Sequence, residues 1–226
     1  MSQAAFDPDA LITMFEKASA QGSAKLRQSV ADATLQALQG RELTLKNMRS
    51  VLAQMSKAAE SGLAKNMGAP VDVQAMLDQA VAGMDDALVK AVDANRVALE
   101  RLVSQGADLR EQHMKKALTD LEKMEDMLLD TVKKSAAAAD KQTGAAWQQV
   151  LEKLNAGGTL SGAQAATTAE QFAAQMQQSM RQTRAAGLRA AQALAESYTA
   201  MVSGVLIGMS DAMQQGGKSA SAKKKG

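Results

Sequence analysis

The side chains that could transfer protons, attack a substrate or hold a metal are few: this chain of 226 residues has one histidine, His113, and no cysteine. Lys115 and Lys116 follow His113, and no glutamate stands three positions before it, so the Glu-x-x-His arrangement of helical di-metal sites is absent. His113 therefore reads as a solvated surface histidine. Glu122, Asp126 and Asp130 recur at i+4 steps, a spacing that could gather a cation. Leu121, Leu128 and Val132 mark the other side of that helix as its inner face, so the carboxylates read as its wet face. No phosphate loop, dinucleotide fingerprint or nucleophile elbow is written anywhere. The expectation is a non-enzyme with no cofactor, no metal and no small-molecule substrate. The lack of cysteine excludes a disulfide framework and thiolate metal sites, and fits a cytoplasmic setting.

Two other patterns point to contact chemistry. Ala200, Gly204 and Gly208 repeat every four residues, a small-x-x-x-small pattern that lets helix backbones approach closely. With Leu194, Tyr198 and Val205 they form the expected helix interface. Glu196 and Asp211 at its flanks favour packing within the chain or between copies over dimerisation in a membrane. The second pattern is the lysine tail, Lys218, Lys223, Lys224 and Lys225, which makes the net charge +2 although the preceding body is slightly negative. Such a tail can bind phosphates of nucleic acid or anionic lipid by counterion release. Without aromatic residues or a folded basic face beside it, a solubilising role is the plainer reading. The fifteen methionines mostly fall on apolar stripes, where they suit an adaptable surface but read more plainly as core.

The elements that would carry these residues are helices. Hydrophobic residues make up 46% of the chain but aromatic ones only 2%, so Ala, Leu, Val and Met must do the packing, and only Pro8 and Pro70 interrupt a helix-favouring composition. Asp7 with Pro8 reads as a helix start. The first helix carries Leu11, Ile12, Met14 and Phe15 and weakens near Gly22; a second carries Leu26, Val30, Thr34, Ala37 and Leu38 and stops at Gly40. Thr44 can cap a third, whose stripe is Leu45, Met48, Leu52, Met55, Ala59 and Leu63. From Val73 a long stripe runs through Leu77, Val81, Met84, Leu88, Val92, Asn95, Leu99 and Leu102, and Gly106 either ends that helix or only weakens it. Next come Met114, Leu118, Leu121, Leu128 and Val132, with Asp130 and Lys134 as a favourable i,i+4 pair. A shorter helix with Trp147, Val150, Leu151 and Leu154 follows, and Asn155 to Gly158 is the strongest break.

The last helix, expected from about Ser161 to Gln215, carries an 11-residue repeat. Phe172, Thr183, Leu194 and Val205 share one phase; Met176, Gly187, Tyr198 and Met209 share the next; Met180, Ala191, Val202 and Met213 share a third. Eleven residues in three turns keep these positions on one face of a nearly straight helix. About 50 residues of helix would be roughly 75 Å long, which implies a rod-like molecule. The fold class is thus all-α, an elongated, coiled-coil-like bundle of long amphipathic helices with a disordered basic tail. Its expected divisions are 1–68, an N-terminal pair or trio; 69–157, long central helices; 158–215, the repeat-bearing helix; and 216–226, the tail, all in one structural domain. The opening residues have no basic stretch before their apolar run and do not read as a secretory signal. The apolar uncharged run Ser197 to Ser210 is short of the roughly 20 residues a spanning helix needs.

Arg41 to Leu52, Ala80 to Val92 and Ala190 to Met213 resemble an uncharacterised family of proteobacterial helical proteins, a resemblance that covers most of the chain and implies no activity. In composition and helix pattern the chain also resembles phasins, the cytoplasmic proteins that coat polyhydroxyalkanoate granules. That resemblance implies a coat protein whose helices bury their stripes partly against each other and partly against a hydrophobic polymer or lipid surface. The alternatives are a soluble helical module that forms a homo-oligomer and recruits protein partners, and a nucleoid-associated protein that binds weakly through its lysines.

Overall fold

The computed structural model describes residues 8–20, 23–39, 44–65, 72–104, 111–141 and 143–182, and 201–203, 205–206 and 209 beyond them. Among the described residues there are seven helices and no strand: α1 (Pro8–Ala20), α2 (Ser23–Gln39), α3 (Leu45–Lys65), α4 (Val73–Ser104), α5 (Glu111–Ala138), α6 (Gly144–Gly157) and α7 (Leu160–Gln182). The chain is an all-α bundle. None of the described helices is long and apolar enough to cross a membrane.

Local chemistry sets the helix ends. The Thr44 hydroxyl accepts the Asn47 N–H at 3.2 Å at the start of α3, as its type and position predict. The Asp72 carboxylate does the same for the Ala75 N–H of α4 at 3.0 Å. Before α6, Asp140 accepts the Thr143 N–H at 2.9 Å, closing a tight turn. Alanine keeps α5 helical through Ala138, so the alanine run there extends a helix and does not break it. Between α6 and α7 the backbone of Gly158 takes φ 70°, a left-handed conformation that glycine adopts without steric cost.

Helix α4 is the axis: it packs against α2, α3, α5, α6 and α7, while α3 packs against α1, α2, α4 and α5. Its predicted stripe is inside, with Leu77, Val81, Met84, Leu88, Val92, Asn95 and Leu99 all buried. Phe15, Leu26, Val30, Leu38, Met48, Leu52, Met55 and Leu63 close on it from α1, α2 and α3. Three of the buried polar residues bond within their own helices. The Thr34 hydroxyl donates to the Val30 carbonyl at 2.7 Å, the Thr131 hydroxyl to Met127 at 2.8 Å and the Asn95 amide to Ala91 at 2.8 Å. Of the repeat positions expected on the last helix, Phe172 and Val202 are buried, and Val205 and Met209 pack against the core. The stretch between residues 182 and 201 lies outside the described residues, as does Gly106.

Glycine permits two close crossings. A Cβ on Gly62 of α3 would stand 2.6 Å from the Phe15 Cβ, and one on Gly83 of α4 would stand 2.5 Å from the Arg27 carbonyl oxygen and 2.9 Å from the Val30 Cβ. Helices α1 and α2 therefore ride directly on the backbones of α3 and α4, where even a methyl group has no room.

Candidate functional site

The polar chemistry of the bundle gathers along α4. Asp78, Asp85 and Asp93 are spaced by seven and eight residues, close to two helical turns each, and so lie on one side of the helix. Each holds a point of α6 or α7. The Lys153 ammonium donates to Asp78 at 2.9 Å, the Leu160 and Ser161 N–H groups to Asp85 at 2.7 and 3.0 Å, and the Gln164 amide to Asp93 at 3.1 Å. The partners advance in the same order as the aspartates, so α6 and α7 follow α4 along its length.

Asp85 is the unusual member, because its residue is only 6% exposed. A carboxylate that deep needs donors, and the start of α7 supplies them: two backbone N–H groups that the helix itself cannot use, at the positive end of its dipole. Thr159 completes the cap, its hydroxyl accepting the Gly162 N–H at 2.9 Å. The first turn of α7 is thus capped partly by its own chain and partly by a carboxylate some 75 residues earlier. On the neighbouring row, Asp86 accepts two hydrogen bonds from the Arg27 guanidinium of α2, at 2.6 and 2.7 Å. That hydrogen bond holds Arg27 above its ordinary pKa against the opposing effect of partial burial. Both side chains are a third or more exposed, so the pair contributes about 0.5–1 kcal/mol and weakens with salt.

Two grooves flank the axis. One, of about 600 Å³, lies between α2, α4 and α7 and is lined by Leu35, Val89, Leu160 and Ala163 with Asp32 and Lys90. Leu160 is 58% exposed, the one large apolar side chain left open among the described residues. Desolvation at the groove wall raises the carboxyl of the otherwise exposed Asp32 above its ordinary value. A carboxyl whose folded-state pKa is raised destabilises the folded protein when ionised, and that cost disappears once pH falls below both the folded and unfolded pKa values. Asp32→Asn is therefore expected to raise the melting temperature slightly at neutral pH and to lose that advantage in strong acid. A thermal melt at both pH values checks it; an unchanged or lower value at neutral pH would contradict the sign.

The other groove, of about 440 Å³, lies between α3, α5 and α6 and carries mixed charge from Arg49, Lys123, Asp126, Asp130 and Lys133. Asp126 is exposed and Asp130 half-buried, so the described part of the predicted acidic face is wet. Asp130 pairs with Lys134 at 2.8 Å, and that hydrogen bond, followed by the charges of Lys134, Arg49 and Lys133, lowers its pKa. The side chains of His113 and Glu122 lie outside the described residues. Among the described residues, no group of three or more His, Asp or Glu side chains is placed to share a metal ion.

Of the predicted interface, Val205 is half-buried against the core beside Val202 and Leu206. Leu194, Tyr198, Ala200, Gly204 and Gly208 lie outside the described residues, as do Lys218, Lys223, Lys224 and Lys225. Sequence reading passed over Asp78, Asp85 and Asp93. Their signal was present in Asp85, an acid four residues from Val81 and three from Leu88 on a buried stripe, which must find a donor inside the protein.

These features define an all-α bundle organised on one central helix. The chain belongs to a family of unknown function, DUF6781, whose model matches residues 1–215. No curated protein and no solved structure matches it.

Proposed function

We propose that this protein is a non-enzymatic helical scaffold that acts through contacts of its helices and rests in a closed form as a protein-interaction module. The observation that carries this reading is the burial of the apolar stripes against one another, with Leu160 alone of the large apolar side chains exposed among the described residues. A closed bundle offers partners a mostly polar surface and engages them through grooves or through assembly of copies. The test is light scattering with a thermal melt in plain buffer. A cooperative transition and a fixed mass, homo-oligomeric by expectation, support the reading; a chain that gains helix only on added hydrophobic surface defeats it.

A second reading, coating of a hydrophobic granule or lipid surface in the manner of phasins, draws support from α7. Its described packing face is Ser161, Ala165, Thr168 and Phe172, with a single large apolar side chain. Its first turn is held by polar contacts, the Leu160 and Ser161 N–H groups on Asp85, which water can replace when the helix leaves the bundle for a surface. Localisation of the tagged protein in cells with and without storage granules tests this: enrichment on granules supports it, and a diffuse signal in both removes it. Binding of nucleic acid through Lys218 and Lys223 to Lys225 ranks third, and its loss on truncation of that tail is the corresponding check.

A further inference from the structure

Charge is unevenly matched over the bundle. The exposed residues of α3 are Lys46, Arg49, Ala53, Lys57, Ala64 and Lys65, with no acid among them. Glu60, the one acid of α3, is half-buried and accepts the Thr143 hydroxyl at 3.4 Å. On α5, Lys123, Lys133 and Lys134 are exposed, and Lys134 is taken by Asp130. Elsewhere the long cations find carboxylates: Arg27 meets Asp86, Arg96 meets Asp93 and Glu100, and Lys153 meets Asp78. Lys46, Arg49, Lys57, Lys123 and Lys133 form no ion pair among the described residues. Nor does the sequence offer them one along the helix, since Arg49, Lys57, Lys123 and Lys133 have no acid four residues away on either side.

These cations share a face. Lys46, Arg49 and Lys57 fall on one side of α3 by the helical period, and Arg49 lines the groove of about 440 Å³ together with Lys123 and Lys133. Helices α3 and α5 run in the same direction, because Arg49 shares that groove with Asp130 while Glu60, further along α3, reaches Thr143 just past the end of α5. At 1.5 Å per residue, each row of cations is about 15 Å long. Packed helices lie about 8–10 Å apart, so the two rows cover an area and not a line. With Asp130 held by Lys134, Asp126 is the other carboxylate lining the groove.

We propose that the α3–α5 face is an electrostatic docking surface for anionic phospholipid headgroups, laid flat on the lipid while the bundle stays closed. Lysine and arginine left without carboxylates repel one another in water, and a layer of phosphates relieves that repulsion. Planar headgroups reach both rows at once, whereas a nucleic-acid duplex is a convex cylinder that meets two parallel helices along one line. The described aromatic residues, Phe15, Trp147 and Phe172, are buried and offer no platform for stacking bases. This contact goes beyond the scaffold and coating readings: it is made by charge on the folded surface, and the apolar stripes remain inside.

The test is flotation of the full chain with phosphatidylcholine vesicles that contain or lack phosphatidylglycerol. The expected result is binding that requires phosphatidylglycerol and falls as salt rises. Arg49→Gln combined with Lys133→Gln should weaken it about thirtyfold, the effect of two cations near such a surface. Lys46→Gln with Lys57→Gln, outside the groove but on the same face, should weaken it to a similar extent. Lys25→Gln with Lys90→Gln makes the same change in net charge on α2 and α4 and should cost only a few-fold, while Arg49→Lys, which keeps the charge, should bind nearly as well as the wild type. Equal binding to vesicles without phosphatidylglycerol overturns the proposal in favour of an apolar contact. Equal losses from ridge and control variants, or a loss seen only when Lys218, Lys223, Lys224 and Lys225 are changed to Gln, overturn it as well. Tighter binding to a DNA duplex than to vesicles, lost with Arg49 and Lys133, would assign the face to nucleic acid instead.

Discussion

Gly83→Val is expected to be among the most destabilising single changes in the bundle. The first atom of the new side chain meets the Arg27 carbonyl oxygen at 2.5 Å and the Val30 Cβ at 2.9 Å. The nearer of these is backbone, which no rotamer change can move, so α2 as a whole must retreat from α4. Retreat loosens Leu26, Val30 and Leu38, all of which are buried in the shared core, and strains the Arg27 to Asp86 pair. Overpacking of a dense interior costs about 1–3 kcal/mol and sometimes more. The helix-propensity gain on losing a mid-helix glycine recovers at most about 1 kcal/mol. Gly83→Ala should therefore be a net loss, and Gly83→Val, which adds two methyl groups where one has no room, a loss of about 3 kcal/mol. In a protein of this length that lowers the melting temperature by roughly 6–12 °C. Gly157→Ala is the control. The space around Gly157 is open, so its melting temperature should hold or rise slightly. A Gly83→Val protein that melts with the wild type would show that α2 does not ride on the backbone of α4.

The contrast between those two glycines shows where the sequence is legible. The stripe from Leu77 to Leu99 could be read residue by residue because burial repeats with the helix period, and each position is judged against its own near neighbours. The Thr44 cap was legible for the same reason, being chemistry within a few residues of the chain, and so was the break expected over Asn155 to Gly158, although α6 runs on through Gly157 and only Gly158 ends it. Asn95, counted among apolar positions, turned out to be self-satisfied through Ala91, which is again local. What escaped was every feature whose partner is distant in sequence. A glycine inside a helical pattern announces close approach, but nothing near Gly83 says that Arg27 is what approaches. Asp85 announces a buried acid, but its donors are the backbone of Leu160 and Ser161, and backbone donors have no signature in residue type. The site residues that sequence favoured were exposed or repetitive, whereas those that stitch the bundle are ordinary aspartates made distinctive by the faces they share. Function was less legible than fold, since a packing stripe looks the same whether it meets another helix or a foreign surface.

Trp147 gives the second large effect and a way to dissect it. It is the chain's one tryptophan, fully buried in α6, and its indole N–H has no hydrogen-bond acceptor among the described residues. Two opposing quantities sit in that side chain. Its ring fills the largest single volume among the fully buried side chains, and truncating such a residue to alanine costs about 3–5 kcal/mol. Its unpaired N–H is itself a defect, since burial of a donor without an acceptor costs about 1–3 kcal/mol. Trp147→Ala removes the defect along with the volume, and the volume dominates. Trp147→Phe retains most of the apolar ring and removes the orphan donor, so the two contributions nearly cancel. The expected result is a large drop in stability for the alanine variant and a change within about 1 kcal/mol for phenylalanine. Urea titrations followed by far-ultraviolet circular dichroism measure both without needing the tryptophan itself. Should phenylalanine prove as damaging as alanine, the indole N–H would have to be satisfied in solution, and the packing of α6 against the core would need a polar partner for it. In the wild type the same residue serves as the native reporter. A closed bundle keeps Trp147 out of reach of a dissolved quencher such as acrylamide, and any partner that opens the bundle at α6 makes it accessible.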